Sequence, residues 1–138
     1  KFMCGSYFKY LPNSTSKVDW VVGNPEELEK YKNNERCQIR FTVGAYYDMV
    51  KTLKKVNSKK WAKKINKDMP IILLAGAQDP VGQYGKGVCQ VYCLLEKQCV
   101  KHLDLRIYSD ARHEVHNELE PAKSAFYNEV KCFIERNI

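Results

Sequence analysis

The hydrophobic and polar positions follow different patterns in the two halves of the chain. Over residues 1–68 apolar positions either scatter or recur at helical spacing, whereas residues 69–138 alternate short apolar runs with helical stretches. A period of two residues is typical of strands and a period near 3.6 of helices. The pattern therefore predicts a helical, loop-rich segment over 1–68 and a strand–helix–strand–helix unit over 69–138.

Helix signals in the first half come from capping residues and periodicity. Asn24 followed by Pro25 and two glutamates is a typical helix start, and we expect this helix to end near Asn33. A second helix is predicted after Thr42, and a third, short one over 58–66. The apolar residues predicted to share one face of the second helix are Ala45, Tyr46, Met49, Val50 and Leu53.

The second half predicts two parallel strands joined by a helix. Residues 71–76 are continuously apolar, which favours a strand covered on both faces. Residues 103–108 alternate strictly, which favours a half-exposed strand at a sheet edge. A helix over 84–98 connects them by a right-handed crossover, and after a loop over 109–118 a last helix opens at Pro121. The residues expected to point inward are Val88, Val91, Tyr92 and Leu95 on the first of these helices, and Ala122, Ala125, Phe126, Val130 and Phe133 on the last.

Two strands are too few for an independently stable sheet, since stable sheets usually have three or more. We therefore expect residues 69–138 to be the last part of a larger doubly wound sheet. The open side of the strand over 71–76 then needs either upstream strands or another copy of the chain. This predicts a homo-oligomer or association with an N-terminal part.

The distribution of charge indicates which classes of partner the chain could bind. The chain has 23 Lys and Arg against 16 Asp and Glu, and eight lysines with no acid lie between Lys51 and Lys67. A solvated helical face is the favoured interpretation of this run. The alternative is a patch for an anionic lipid surface or substrate, because Trp61 among lysines suits an interface. No nucleic-acid-binding motif accompanies the charge, so nucleic acid is not an expected partner.

The six cysteines, at 4, 37, 89, 93, 99 and 132, form no CxxC, and no histidine pair has metal-ligand spacing, so no metal site is predicted. Cys89 and Cys93 are interpreted as small buried hydrophobic residues. No signal segment opens the chain, which favours reduced thiols and a cytoplasmic location, with peripheral membrane association as an open alternative. A start at Lys1 fits a piece of a longer protein.

An acid and a histidine follow consecutive predicted strands. Asp79 comes after the strand over 71–76, and His113 comes after the strand over 103–108. Taken alone, Asp79 is best explained as a turn residue and His113 as a structural histidine. Because the carboxyl ends of neighbouring parallel strands meet at one sheet edge, their joint placement favours a catalytic pair. An Asp there can fix the tautomer of the imidazole and stabilise the imidazolium.

These segments resemble a known family. Residues 70–88, with Gln78-Asp79-Pro80-Val81-Gly82 at their centre, resemble the acid-bearing segment of bacterial α/β-hydrolases of the lysophospholipase and monoacylglycerol-lipase type. The run Arg112-His113-Glu114-Val115-His116-Asn117-Glu118 is similar to the histidine loop of the same family, R-H-E-x-x-N-E. Looser similarity to its cap region is carried by Gly5-Ser6-Tyr7, Thr15, Asp19-Trp20, Tyr31, Cys37 and Phe41-Thr42.

The resemblance implies a partial α/β-hydrolase fold, with a cap or lid over 1–68 and the last part of the core over 69–138. It implies a serine hydrolase of acyl esters, such as lysophospholipids or monoglycerides, that needs no cofactor. In the family's chain order of Ser, Asp and His, Asp79 is the acid and His113 the general base. The residues that would support the histidine loop are Arg112, Glu114, Asn117 and Glu118.

The nucleophile is missing from this pattern. No G-x-S-x-G occurs in the 138 residues, so the nucleophile and the oxyanion hole are expected upstream of Lys1, and the isolated chain is expected to be inactive. We reject Ser6 as the nucleophile because it lacks the second glycine of the motif, and Cys89 because it follows the acid. We also reject His116 as the base, because it stands where the family carries an apolar residue. The alternatives are a non-catalytic binding module and a basic fragment that binds membrane or nucleic acid.

Overall fold

The computed structural model describes Tyr7, Leu11 and residues 14–56 and 60–137, which form four α-helices, two β-strands and three short 3₁₀ turns. In chain order the helices and strands are α1 (Pro25–Asn33), α2 (Val43–Val56), β1 (Ile71–Gly76), α3 (Lys86–Glu96), β2 (Leu103–Tyr108) and α4 (Ala122–Asn137), and the 3₁₀ turns are Glu35–Gln38, Ala62–Lys64 and Val115–Asn117.

Strands β1 and β2 pair in parallel, with Ile71 opposite Leu103 and Gly76 opposite Tyr108. Both strands have the predicted bounds, and α3 makes the crossover between them. Since the strands are parallel and in register, their carboxyl ends lie side by side. The loops that follow Gly76 and Tyr108 therefore leave the sheet at the same edge.

Helices α3 and α4 cover opposite faces of this sheet. Successive side chains of a strand point to opposite faces. On β2, Ile107 lies against Gly85 at the start of α3, while the ring of Tyr108 lies 6.2 Å from that of Phe126 on α4. Beneath α4 is a cluster of buried residues with partly buried neighbours, formed by Tyr108, Ala111, Val115, Leu74, Ala122 and Phe126.

Burial of β1 is incomplete. Its sequence predicts cover on both faces, but residues 71–74 are only half-buried, and burial is complete only for Ala75 and Gly76. Within the described residues β1 is paired along one edge alone. The apolar side chains of residues 71–74 are partly open to solvent, so the prediction of cover on both faces is wrong for the part of the chain described.

Helices α1 and α2 begin where they are predicted, at Pro25 and after Thr42. The side chain of Asn24 accepts a hydrogen bond from the amide of Glu26, and Thr42 Oγ1 accepts one from the amide of Ala45. No residue of α2 is buried, although its apolar residues do share a face. In the region predicted as a third helix, the described part forms the 3₁₀ turn Ala62–Lys64, and residues 57–59 lie outside the description.

Helix α3 starts at Lys86 rather than at residue 84. Gln83, Tyr84 and Gly85 all have positive φ angles, of 53°, 57° and 83°, and this left-handed backbone cannot continue into a helix. The residues of α3 predicted to point inward are half-buried or, for Leu95, buried.

The interpretation of Cys89 and Cys93 as buried is wrong, since both are exposed. On the same helix Val88 is half-buried and Leu95 is buried, so burial differs between its apolar residues. The helical period fixes which residues share a face, but it does not say that every apolar side chain is covered.

Helix α4 is attached to β2 by packing and by charge. Ala125 is exposed, contrary to prediction, while the other four residues predicted to face inward are half-buried. Ion pairs join Arg106 to Glu129, at 3.2 Å, and Asp104 to Arg136. No helix in the described part of the chain is long and apolar enough to cross a membrane.

Candidate active site

Asp79 sits in the turn that follows β1 and is almost completely buried, with 7% of its surface exposed. Its backbone amide donates to the carbonyl of Gly76, so the turn closes directly on the strand end. The side chain is fixed as well, because Oδ1 accepts a hydrogen bond of 2.8 Å from the amide of Val81. This leaves Oδ2 to meet the loop that follows β2.

His113 lies in that second loop, and its Nδ1 is 3.0 Å from Oδ2 of Asp79. An ionised carboxylate only accepts hydrogen bonds, so Nδ1 carries the hydrogen of this bond. In the neutral ring Nε2 then holds the lone pair, and none of the described residues forms a hydrogen bond with it. The His113 side chain keeps 41% of its surface exposed. The ring is thus held at one nitrogen, while part of its surface stays accessible to solvent.

The pKa of His113 is raised above its ordinary value. The hydrogen bond to Asp79 is the largest cause, partial burial of the ring opposes it, and the negative charges of Asp79 and Glu114 add to the rise. The carboxylate therefore stabilises the protonated imidazole. This is the electrostatic property that a general base needs once it has taken up a proton.

A glycine makes the close approach of the two loops feasible. A Cβ built on Gly76 would lie 2.2 Å from the carbonyl oxygens of both Ala111 and Arg112. These are backbone atoms of the histidine loop, which cannot move aside as a flexible side chain could. Only glycine at the end of β1 allows this loop to pack directly on the strand.

Arg112 and Glu118 fasten the histidine loop to residues 19–23, which we call the docking segment. Glu118 is 3% exposed, and its carboxylate accepts hydrogen bonds from the amides of Gly23, at 2.9 and 3.0 Å, and Arg112, at 2.8 Å. The guanidinium of Arg112 donates to the carbonyls of Asp19 and Val22. Both side chains thus bind backbone groups that no strand or helix satisfies.

Backbone hydrogen bonds join the same two segments. The amide of His113 donates to the carbonyl of Trp20, and the amide of Glu114 donates to that of Val21. Within the loop, Asn117 Nδ2 donates to Oε2 of Glu114 at 2.8 Å, which closes the 3₁₀ turn. All four residues predicted to support the histidine loop therefore make contacts inside it or to the docking segment.

The docking segment is itself held by Asp19, which is 4% exposed. Its Oδ2 accepts hydrogen bonds from the amides of Thr15 and Ser16 and from the hydroxyl of Ser14. Burial raises the pKa of this carboxyl, but the amide hydrogen bonds outweigh burial and the net pKa is lowered. Asp19 is therefore an ionised anchor for the turn that leads into the docking segment.

The structure brings Asp79 and His113 together as the strand order predicts, while their catalytic roles stay predictions. Ser6 lies outside the described residues. His116 is exposed and its ring lies 6.1 Å from that of Phe126 on α4. Within the described ranges no group of three or more His, Cys, Asp or Glu could hold a metal ion.

Sequence reasoning missed the contacts of Trp20 and Gly23. The Trp20 and His113 rings lie 5.3 Å apart between centroids, and the amide of Gly23 binds Glu118 across 95 positions of sequence. Neither contact leaves a periodic signal. In the sequence, only the resemblance of Asp19-Trp20 to the cap region of the family draws attention to this segment.

A helix on each face of a parallel strand pair, with an Asp and a His on the two successive strand-end loops, is consistent with the last part of an α/β-hydrolase fold. The chain belongs to the S33 serine aminopeptidase family, Hydrolase_4, whose family model matches residues 2–120. The carboxyl ends of β1 and β2, the acid turn and the histidine loop all lie within that match.

Solved structures agree with this assignment. The chain matches a highly thermostable carboxyl esterase from Bacillus coagulans, crystallised in complex with glycerol, at 27% identity and a TM-score of 0.83. A lipase in an open form matches with a TM-score of 0.82 at 22% identity, which shows a common fold alone. Each match covers 96% of this chain but 43% and 42% of the solved chains, so the chain spans less than half their length. No curated protein matches it significantly.

Proposed function

We propose that this chain supplies the acid and the base of a serine hydrolase that cleaves carboxylic esters, and that the nucleophilic serine lies on another part of the parent protein. The observation that carries the proposal is the 3.0 Å contact between Asp79 and His113 at the carboxyl ends of two parallel strands. Membership of a hydrolase family and similarity to a carboxyl esterase support it.

In the first half of the proposed reaction, Nε2 of His113 removes the proton from the serine hydroxyl while the serine oxygen attacks the ester carbonyl. Asp79 stabilises the imidazolium that results. The tetrahedral intermediate then collapses, and the imidazolium returns its proton to the departing alcohol. The products of this half are an acyl-enzyme and a free alcohol, and His113 is neutral again.

In the second half, His113 takes a proton from water, and the hydroxyl formed adds to the acyl carbon. Collapse of the second intermediate breaks the bond to serine, which regains its proton from His113, and the carboxylic acid leaves. The same imidazole thus acts once as base and once as acid in each half. Its raised pKa favours the protonated form that both intermediates require.

Lysophospholipids or monoglycerides are the substrates we propose. The proposal rests on the resemblance of the acid segment and the histidine loop to lipases of this type, and a related esterase was solved with glycerol bound. We propose further that residues 1–68 form a cap that shapes the acyl site and that residues 69–138 complete the core, either together with the N-terminal part of the parent or with a second copy.

A serine-directed fluorophosphonate tests this function in the parent protein. We expect covalent labelling of a serine outside this chain, and we expect His113→Gln to slow labelling by about a thousandfold or more. The matched control is His116→Gln, three residues along the same loop, which should label at the wild-type rate. Absence of labelling in the wild-type protein, or equal effects of the two variants, would overturn the proposal in favour of a non-catalytic module.

A second proposal concerns lipid surfaces. The lysines of the run between Lys51 and Lys67 that the structure describes are exposed, and α2 presents Val43, Tyr47 and Val50 with exposures of 87%, 66% and 53%. Apolar side chains beside a block of lysines favour binding at the surface of an anionic bilayer. Such a surface would bring the acyl site to a lipid substrate.

Vesicle binding tests the lipid proposal. We expect the parent protein to sediment with phosphatidylglycerol vesicles, to ignore phosphatidylcholine vesicles, and to be released by salt. Exchange of Lys51, Lys54 and Lys55 for Gln should weaken binding by about a hundredfold, at roughly 1 kcal/mol for each lysine. Equal binding of both vesicle types, or none, would contradict the proposal.

A further inference from the structure

Trp20 lies against the ring of His113 and comes from a distant part of the chain. The centroids of the two rings are 5.3 Å apart with planes inclined by 54°. Ninety-three positions separate the residues in sequence, so this contact depends on the fold and not on the histidine loop alone. Trp20 is half-buried and packs against one side of the imidazole, while 41% of the His113 side chain stays exposed.

The indole is fixed from several directions. Tyr7 packs edge-on against it, with ring centroids 5.4 Å apart and planes inclined by 74°. The carbonyl of Trp20 accepts the hydrogen bond from the amide of His113. On either side, Arg112 binds the carbonyls of Asp19 and Val22. These contacts fix the position of the indole relative to the histidine loop.

One hydrogen bond cannot by itself define the orientation of an imidazole. The bond from Nδ1 to Asp79 fixes one atom of the ring and leaves rotation of the plane about that contact. With 41% of the side chain exposed, little else in its own loop restrains it. A flat aromatic neighbour restrains the plane because ring pairs prefer offset or edge-to-face arrangements over a face-to-face sandwich.

We infer that Trp20 is a positioning residue for His113: its indole holds the imidazole in the plane that keeps Nδ1 on Asp79 and presents Nε2 to the nucleophile. The inference rests on the proposed function and adds a residue to it. It also gives the docking segment a part in the reaction, since the contacts of Arg112 and Glu118 place Trp20 relative to the base.

Kinetics of the parent protein with a short-chain nitrophenyl ester test the inference. We expect Trp20→Leu to lower kcat by about two- to twelvefold, the range that one aromatic pair contributes, and to leave KM nearly unchanged. Trp20→Phe keeps an aromatic face and should recover most of the lost kcat. Tyr127→Leu is the matched control, because it removes a comparable ring pair on α4, where Tyr127 lies 5.7 Å from Phe126 between centroids, and it should leave kcat unchanged.

A second measurement needs no turnover. In the wild-type protein we expect nuclear Overhauser contacts between the ring protons of Trp20 and those of His113, and we expect them to persist in Trp20→Phe. Absence of these contacts overturns the inference, and so does an unchanged kcat in Trp20→Leu or a failure of Trp20→Phe to restore it. A protein that shows the contacts but hydrolyses no ester refutes the proposed function and not the placement of the ring.

Discussion

The buried carboxylate of Glu118 offers the sharpest test of how the histidine loop is held. It accepts three short contacts from two amides, those of Gly23 and Arg112. A hydrogen bond to a charged group contributes about 1.5–3 kcal/mol, against about 0.5–1.5 kcal/mol for a neutral pair. Glu118→Gln keeps one acceptor oxygen but removes the charge from both bonds. The side-chain amide also turns a donor toward the amide of Gly23.

Glu118→Gln should therefore lower the free energy that holds the histidine loop on the docking segment by about 2 kcal/mol, roughly 1 kcal/mol for each amide. We expect the hydrogen-exchange protection of the Gly23 and Arg112 amides to fall by about thirtyfold, since 1.4 kcal/mol corresponds to a factor of ten. Glu118→Ala leaves both donors without a partner and should cost about 2–6 kcal/mol. Exchange measured amide by amide reports this local opening directly.

Glu135→Gln is the matched control. Its carboxylate is 62% exposed and lies 3.8 Å from Lys131, so its loss should cost less than about 1 kcal/mol. If Glu118→Gln left the protection of both amides unchanged, or if the control had an equal effect, the carboxylate would not be what fastens the loop to the docking segment.

Three further outcomes follow from the same contacts. Asp79→Asn removes the charge that raises the pKa of His113, so the rising limb of the pH–rate profile should move to lower pH while kcat falls by about a thousandfold or more. Gly76→Ala forces a Cβ against the backbone of the histidine loop and should cut fluorophosphonate labelling at least tenfold. Gly44→Ala is the control and should leave labelling unchanged, because its Cβ would lie at an ordinary contact distance of 3.9 Å from Thr42 Oγ1. Arg112→Lys loses the planar guanidinium and should lower the protein's free energy of unfolding by about 1–2 kcal/mol in denaturant titrations.

The raised pKa of His113 also predicts how the stability of the folded protein depends on pH. Its pKa in the folded protein is raised, so the stabilisation from its bond to Asp79 is complete below the unfolded value of about 6.5 and is lost as the pH rises through the folded value. The difference in melting temperature between wild type and His113→Gln should therefore be larger at mildly acidic than at alkaline pH. A difference that grows with pH would contradict this sign.

Local features of the sequence predicted the elements but not what covers them. The bounds of β1 and β2 and the start of α1 follow from apolar runs and capping residues. The start of α3 does not follow from such patterns, because three consecutive left-handed residues at 83–85 replace its first turn. Exposure of Cys89 was missed because helical periodicity carries no information about the neighbours of a face.

For the site, the strand order was enough to predict that Asp79 and His113 meet. The contacts of Glu118 with Gly23 and of Trp20 with His113 join positions more than ninety residues apart, and no pattern in one sequence encodes such a pairing. What the structure adds is therefore the framework that holds the pair: a docking segment bound to the histidine loop through backbone groups.

The tautomer of His113 tests the central claim most directly. Nitrogen-15 chemical shifts of its ring, assigned with His113→Gln and recorded above the raised pKa, distinguish the two neutral forms. If Asp79 orients the base, Nδ1 carries the proton and Nε2 the lone pair. A ring protonated on Nε2, with Nδ1 bare beside the carboxylate, would contradict the account.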